Sequence, residues 1–120
     1  MAERTKMRNH KGTLILIADF FGIQNEKELI DDAGVVTATI TQMKRTDIRL
    51  LVNVTNTNDS KAAQLKFAEC AKQLRPYCQK IAVIGITPVK TGIVNIINKF
   101  MNLGIKSFPT EQAACDWLIE

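Results

Sequence analysis

The residues of this chain that could do chemistry gather at two points, Asp59-Ser60-Lys61 and Thr87 with Lys90. At the first, Asn58, Asp59 and Ser60 follow an apolar run and precede a helical pattern. Ser60 thus stands where a helix has N–H groups without carbonyl partners, and its hydroxyl can cap them. A phosphate on that hydroxyl would meet the same N–H groups and the positive end of the helix dipole, with Lys61 beside it. At the second point, Thr87 is placed to cap a helix that has Pro88 at its first position, so Thr87 and Lys90 could hold an anion. Lys90-Thr91 matches the end of a nucleotide-phosphate loop. However, Val89 stands where that motif has Gly, and no earlier Gly lies at the right interval, so a nucleotide is not expected.

The other reactive side chains assemble into nothing. Cys70, Cys78 and Cys115 form no Cys-x-x-Cys pair and have no His nearby, which argues against zinc and against a disulfide framework. The single histidine, His10, has no obvious acidic partner, so neither a Ser/His/Asp nor a Cys/His constellation can be built. Asp31 and Asp32 read as the solvated side of a helix rather than as an acid/base pair. The chain is expected to be no enzyme and to use no cofactor or metal.

What must position these residues is an alternation of strands and helices. Residues 14–18 are apolar at every position, as in a strand covered on both faces, and Asn25 with Glu28 makes a capping box for the helix that follows. Leu29, Ala33, Val36, Ile40 and Met43 then recur at helical spacing on one face. In the strand 48–54, Leu50, Val52 and Val54 point one way, Arg49 and Asn53 the other, with Leu51 the exception, so one of its faces is expected to be less fully covered. A second helix over 59–77 buries Ala63, Phe67, Cys70 and Leu74, with Pro76 near its end. The apolar strand 80–86 ends at Gly85-Ile86, and a third helix carries Val89, Ile93, Ile96, Ile97 and Phe100 on one stripe, closed by Gly104. Lys106–Phe108 is a short last strand, and Thr110 caps a final helix that buries Ala114, Trp117 and Leu118. Four βα units predict one α/β domain over residues 12–120, with a mostly parallel four-stranded sheet and crossover helices.

Charge narrows the partners. The net excess of four positive charges is concentrated in residues 1–11, where Arg4, Lys6, Arg8 and Lys11 face only Glu3, and residues 12–120 are close to neutral. Residues 1–11 are therefore expected to be a basic, flexible arm rather than a phosphate-binding tail, and nucleic acid is not an expected partner. No apolar run approaches the roughly 20 residues of a membrane span, and no apolar stretch follows the basic start, so the expected location is cytoplasmic.

Arg75-Pro76-Tyr77 ahead of Lys80-Ile81-Ala82-Val83-Ile84-Gly85-Ile86-Thr87 and Lys90, then Phe108-Pro109-Thr110-Glu111 with Ala114, Trp117 and Leu118, resembles small bacterial STAS-like domains. This is the fold of sulfate transporters and anti-sigma factor antagonists, in the branch grouped with lipid-binding Sec14 domains. Asp19-Phe20 and Val54-Thr55 fit the same pattern, so the resemblance spans about residues 14–119. It implies βα units wound as a right-handed superhelix. Members often begin with an extra antiparallel strand, but residues 1–11 lack the alternation for one. In anti-sigma factor antagonists a serine preceded by Asp at this helix start is phosphorylated by a partner kinase, and Asp59-Ser60 matches that pair, although Lys61 and Ala62 replace the Ser and Gly that continue the motif. The resemblance thus implies a regulatory module that binds a protein partner, such as a regulatory kinase, with a homodimer as a further expectation. The alternative it implies is a carrier of a small apolar ligand or lipid.

Overall fold

The computed structural model of the chain describes residues 4–58, 60–86 and 105–120. Its five strands hydrogen-bond in the order in which they occur along the chain: β1 (Thr5–His10), β2 (Thr13–Asp19), β3 (Ile48–Asn53), β4 (Cys78–Ile84) and β5 (Lys106–Phe108). β2 to β5 run parallel, while β1 is antiparallel to β2, so the sheet is mixed and five-stranded rather than four-stranded. The described residues form three helices, α1 (Glu26–Gln42), α2 (Lys61–Leu74) and α3 (Glu111–Leu118). The predicted third helix, with Val89 to Gly104, lies outside the described residues.

Side chains alternate across a strand, so a sheet covered on both faces needs apolar residues at odd and even positions alike. Leu16, Ala18, Leu50, Ile81 and Val83 face the layer of α1 and α2, and Ile15, Ile17, Leu51, Ala82 and Ile84 face α3. The Leu51 exception is thereby explained. α3 crosses the middle of its face, burying Leu51 completely and leaving Arg49 and Asn53 towards the rims. On the other face Leu29, Ala33, Val36 and Ile40 of α1 are buried at the spacing the sequence shows, and Phe67 of α2 meets Phe20 edge-on, ring centres 5.2 Å apart.

Caps fix where the helices start. Asn25 Oδ1 accepts from the Glu28 N–H at 2.8 Å, Ser60 Oγ from Ala63 at 3.2 Å, and Thr110 Oγ1 from Ala113 at 3.1 Å. α2 stops at Leu74, earlier than the pattern suggested, because a helix tends to end before the residue that precedes a proline.

β1 corrects the expectation of a loose arm for residues 1–11. No residue of β1 is buried, so its sequence carries no apolar alternation, yet it is paired to β2 at six positions. Charge ties it to both helix layers: Arg4 reaches Glu28 and Asp32 of α1, Lys6 pairs with Asp19, and Arg8 pairs with Glu111 of α3 at 3.0 Å. His10, for which the sequence offered no acid, has Asp116 Oδ1 2.8 Å from its Nε2, and Lys11 Nζ lies 3.1 Å from the same oxygen. Hydrogen bonds from His10, Lys11 and Gln112 hold the Asp116 carboxyl down to about 2. The strands are joined by two residues, Lys11 (φ 52°) and Gly12 (φ 90°), both left-handed as the tightest hairpin turns require.

Trp117 is a second correction. It does not sink into the core but lies half-buried over Phe108, ring centres 5.4 Å apart, with Lys80 Nζ 4.8 Å and Lys106 Nζ 5.4 Å from its ring centre. The buried anchors of α3 are Ala114, Cys115 and Leu118. Arg49 donates to the Leu118 carbonyl and Lys80 to the Trp117 carbonyl, satisfying the last turn of α3 where its dipole favours cations.

Candidate functional site

In open α/β sheets, ligand crevices form beyond the carboxyl ends of the parallel strands. Here those ends are laced together by backbone. Phe20 N–H donates to Asn53 O, Gly22 N–H to Thr55 O, and Val54 N–H to Ile84 O, at 2.9, 2.9 and 3.0 Å. The loop after β3 is then tied to the loop after β2: Asn58 N–H donates to Ile23 O, Asn58 Nδ2 to Gln24 O, and Gln24 Nε2 to Asn56 O. Thr57 is buried and donates its hydroxyl to Val54 O at 2.8 Å, while Asn56 takes the left-handed conformation (φ 56°) that an Asx residue tolerates.

Ser60 emerges from this loop as the cap of α2. Its N–H donates to Asn58 Oδ1 at 2.8 Å, its Oγ accepts from Ala63, and its carbonyl accepts from Gln64. The side chain is partly exposed, and Lys61 beside it is exposed at the first position of α2. The structure therefore places Ser60 and Lys61 together at a helix start, as their types suggested, but with the serine oxygen engaged in the cap. Asp59, Thr87 and Lys90 lie outside the described residues.

Behind the loop, between the α1 and α2 layer and the sheet, is a cavity of about 110 Å³. Its wall is built from Phe20, Val36, Leu50, Val83 and other apolar side chains, with Thr57, Asn58 and Gln64 together on the loop and the first turns of α2. Leu50 and Val52 of β3 both line this space, Leu50 fully buried and Val52 half-buried. The cavity was not legible in the sequence, since every residue around it reads as ordinary core.

Reactive groups elsewhere are quiet. Burial pushes the thiols of Cys70 and Cys115 up and that of Cys78 to about 12, so all three stay protonated near neutrality, and all three are free. Asp31 pairs with Lys27 and Asp32 with Arg4. Among the described residues no group of three or more His, Cys, Asp or Glu is placed to hold a metal ion, and no helix is long and apolar enough to cross a membrane.

With this geometry in hand, the comparisons with known proteins bear on the fold. No protein-family model matches the chain, and no curated protein matches it. Among solved structures, the chain is similar to an uncharacterized protein from the DUF3478 family with a SpoIIAA-like fold from Shewanella loihica PV-4, at a TM-score of 0.68 and 16% identity, over 95% of this chain and 91% of that one. The chain has a SpoIIAA-like fold, the architecture of STAS-like domains.

Proposed function

We propose that this chain is a non-enzymatic binding module of STAS type that takes a small apolar molecule into the cavity between the α1 and α2 layer and the sheet. The observation that carries this reading is the cavity itself. Protein interiors are packed as densely as organic crystals, and an apolar void forfeits contacts and destabilises the fold. The space of about 110 Å³ is partly open and lined by apolar core side chains, so a small apolar body could enter it and gain the contacts that its walls lack. An engineered apolar cavity of ~150 Å³ stays dry and binds benzene or xenon, so this space suits a body of that scale or somewhat less. Xenon is the suitable probe. In xenon-129 resonance titrations, wild type should bind it and Ala71→Leu, on the α2 wall, should not. A wild type that leaves the xenon signal unshifted sinks the reading, whatever the variant does.

A second reading is favoured by the placement of Ser60 and Lys61 at the start of α2: a protein-interaction module, with a regulatory kinase as one partner and the chain itself as another, switched by phosphorylation at Asp59-Ser60-Lys61. It stands second because Ser60 Oγ is already used by the cap. Capture of a partner by wild type and Ser60→Ala but not by Ser60→Asp supports a switch. Equal capture by all three leaves Ser60 as a helix cap.

A further inference from the structure

We infer that the free edge of β1 docks an extended segment of another protein in which apolar and acidic side chains alternate. No residue of β1 lines the cavity or belongs to the Ser60 cap, so this surface stands whether or not either serves as a site. β1 ends the sheet, and one row of its backbone groups has no neighbouring strand among the described residues. Asp19 N–H donates to Arg4 O, and bonded and non-bonded residues alternate along an antiparallel pair. Lys6, Arg8 and His10 therefore bond to β2, while Thr5, Met7 and Asn9 turn their N–H and C=O groups outward. Such a row is a template for an added strand.

The two sides of that row differ. Met7 lies opposite Leu16 and Asn9 opposite Leu14, on the side of α1 and α2. On α1, Gly34 faces Lys66 of α2 and the Ala33 carbonyl takes the Cys70 thiol, whereas Glu28 and Asp32 meet Arg4. The stripe through Glu28, Asp32 and Val35 is thus the one turned towards β1. Met7, Leu14 and Val35 are three of the five large apolar side chains exposed among the described residues, and they gather at this one edge. On the α3 side, β1 presents Lys6 and Arg8 opposite Ile17 and Ile15, with His10 next in the row. A strand added outside β1 sets its side chains against Met7 and against Lys6 and Arg8 in turn, which calls for apolar and acidic residues in alternation. Lys6 and Arg8 already pair with Asp19 and Glu111. Both cations are nevertheless exposed, at 62% and 43%, and an ammonium or guanidinium keeps donors for a second carboxylate.

The same edge turns away a second copy of this chain. Two β1 strands related by a two-fold axis would run antiparallel and bond through Thr5, Met7 and Asn9, leaving Lys6, Arg8 and His10 of one copy to face those of the other. Like charges directly opposite are destabilising, and lysine on an edge strand guards against self-pairing.

The test titrates the full chain, labelled with nitrogen-15, at pH 7 with two peptides of about six residues, a usual strand length, one alternating valine with glutamate and one alternating valine with lysine. The glutamate peptide is expected to bind about tenfold more tightly, as a few cross-strand charge pairs allow, and to weaken as salt is raised. It should move the amide signals of Thr5, Met7 and Asn9 more than those of Lys6, Arg8 and His10. Met7→Pro removes an outward N–H and none of the bonds to β2, so it should abolish binding while the β2 signals stay in place. Lys6→Glu, at an exposed position, should shrink the preference for the glutamate peptide. Equal binding of the two peptides, or an unchanged preference in Lys6→Glu, overturns the charge complementarity. Binding that spares the β1 amides, or that survives Met7→Pro, overturns the place. Silence from both peptides overturns the inference, as does a concentration-dependent dimer of the wild type that moves the signals of Thr5, Met7 and Asn9.

Discussion

Gly85→Ala should destabilise the protein by about 2 to 5 kcal/mol, read as a lower urea midpoint at unchanged slope. Two costs add. Gly85 holds φ at +87°, where a side chain costs about 1–2 kcal/mol. In addition, a Cβ on Gly85 would meet Thr55 Cα at 2.5 Å, and Thr55 N and Oγ1 closer still. The N and Cα atoms belong to the backbone that ties the carboxyl ends of β3 and β4 together through the bond from Val54 N–H to Ile84 O, so they cannot swing aside as a flexible side chain would. Forcing room in a packed region costs typically 1–3 kcal/mol on its own. The contrast with Gly12 separates the two terms. Gly12 also has positive φ, but a Cβ there meets nothing within 4 Å, so Gly12→Asn should be tolerated while Gly85→Asn should not. A loss under about 1 kcal/mol for Gly85→Ala would mean that the loop after β3 is free to shift, and with it the cavity wall formed by Thr57 and Asn58.

Leu118→Ala is expected to cost about 2 to 5 kcal/mol, and more than Trp117→Ala. α3 has eight residues, too few to hold a helix in water by itself, so it exists because of the face it buries. Leu118 has no exposed surface and packs with Ile15, Ile17, Leu51 and Ala82, whereas the Trp117 ring lies over Phe108 at the edge of that cluster. Removing the leucine leaves a hole at the centre. Removing the tryptophan exposes Phe108 and frees Lys80 and Lys106 to water, which is expected to cost about 1–2 kcal/mol. Thermal and urea unfolding of the two variants side by side make the comparison, and a larger loss for Trp117→Ala would show that the aromatic edge, not the aliphatic centre, anchors α3.

How far the fold could be read from sequence depended on burial. β2 and β4 are covered on both faces, so their runs of Ile, Leu, Val and Ala announced themselves, and α1 showed its face because Leu29, Ala33, Val36 and Ile40 are all buried. β1 was missed for the opposite reason. Its side chains are exposed, its support is backbone pairing and charge, and the acids that hold it come from Asp19, α1 and α3, up to 106 positions away for His10 and Asp116. The turn gave no help either, since Lys11 occupies the first position where Asn or Asp would mark a tight hairpin. Of the site, the cap at Ser60 was legible because capping is local. The cavity was not, because a void depends on how helices approach the sheet, and single residues such as Ala33, Val52 and Ala71 carry no mark of it.

The strand order has a kinetic meaning. Because β1 to β5 lie side by side in chain order, each new strand finds its partner in the segment already formed, and no strand must be threaded between two others. Loop-closure entropy then grows only with the length of one intervening segment at a time, which keeps the average separation of contacting residues low for a parallel sheet. Folding can proceed by accretion from the β1 and β2 hairpin, whose two-residue turn makes it the shortest closure in the molecule. α3 lies outside that progression: its pairing with β1 and its packing on β2, β3 and β4 join the two ends of the described chain, so its docking should be the late, long-range event that completes the native state.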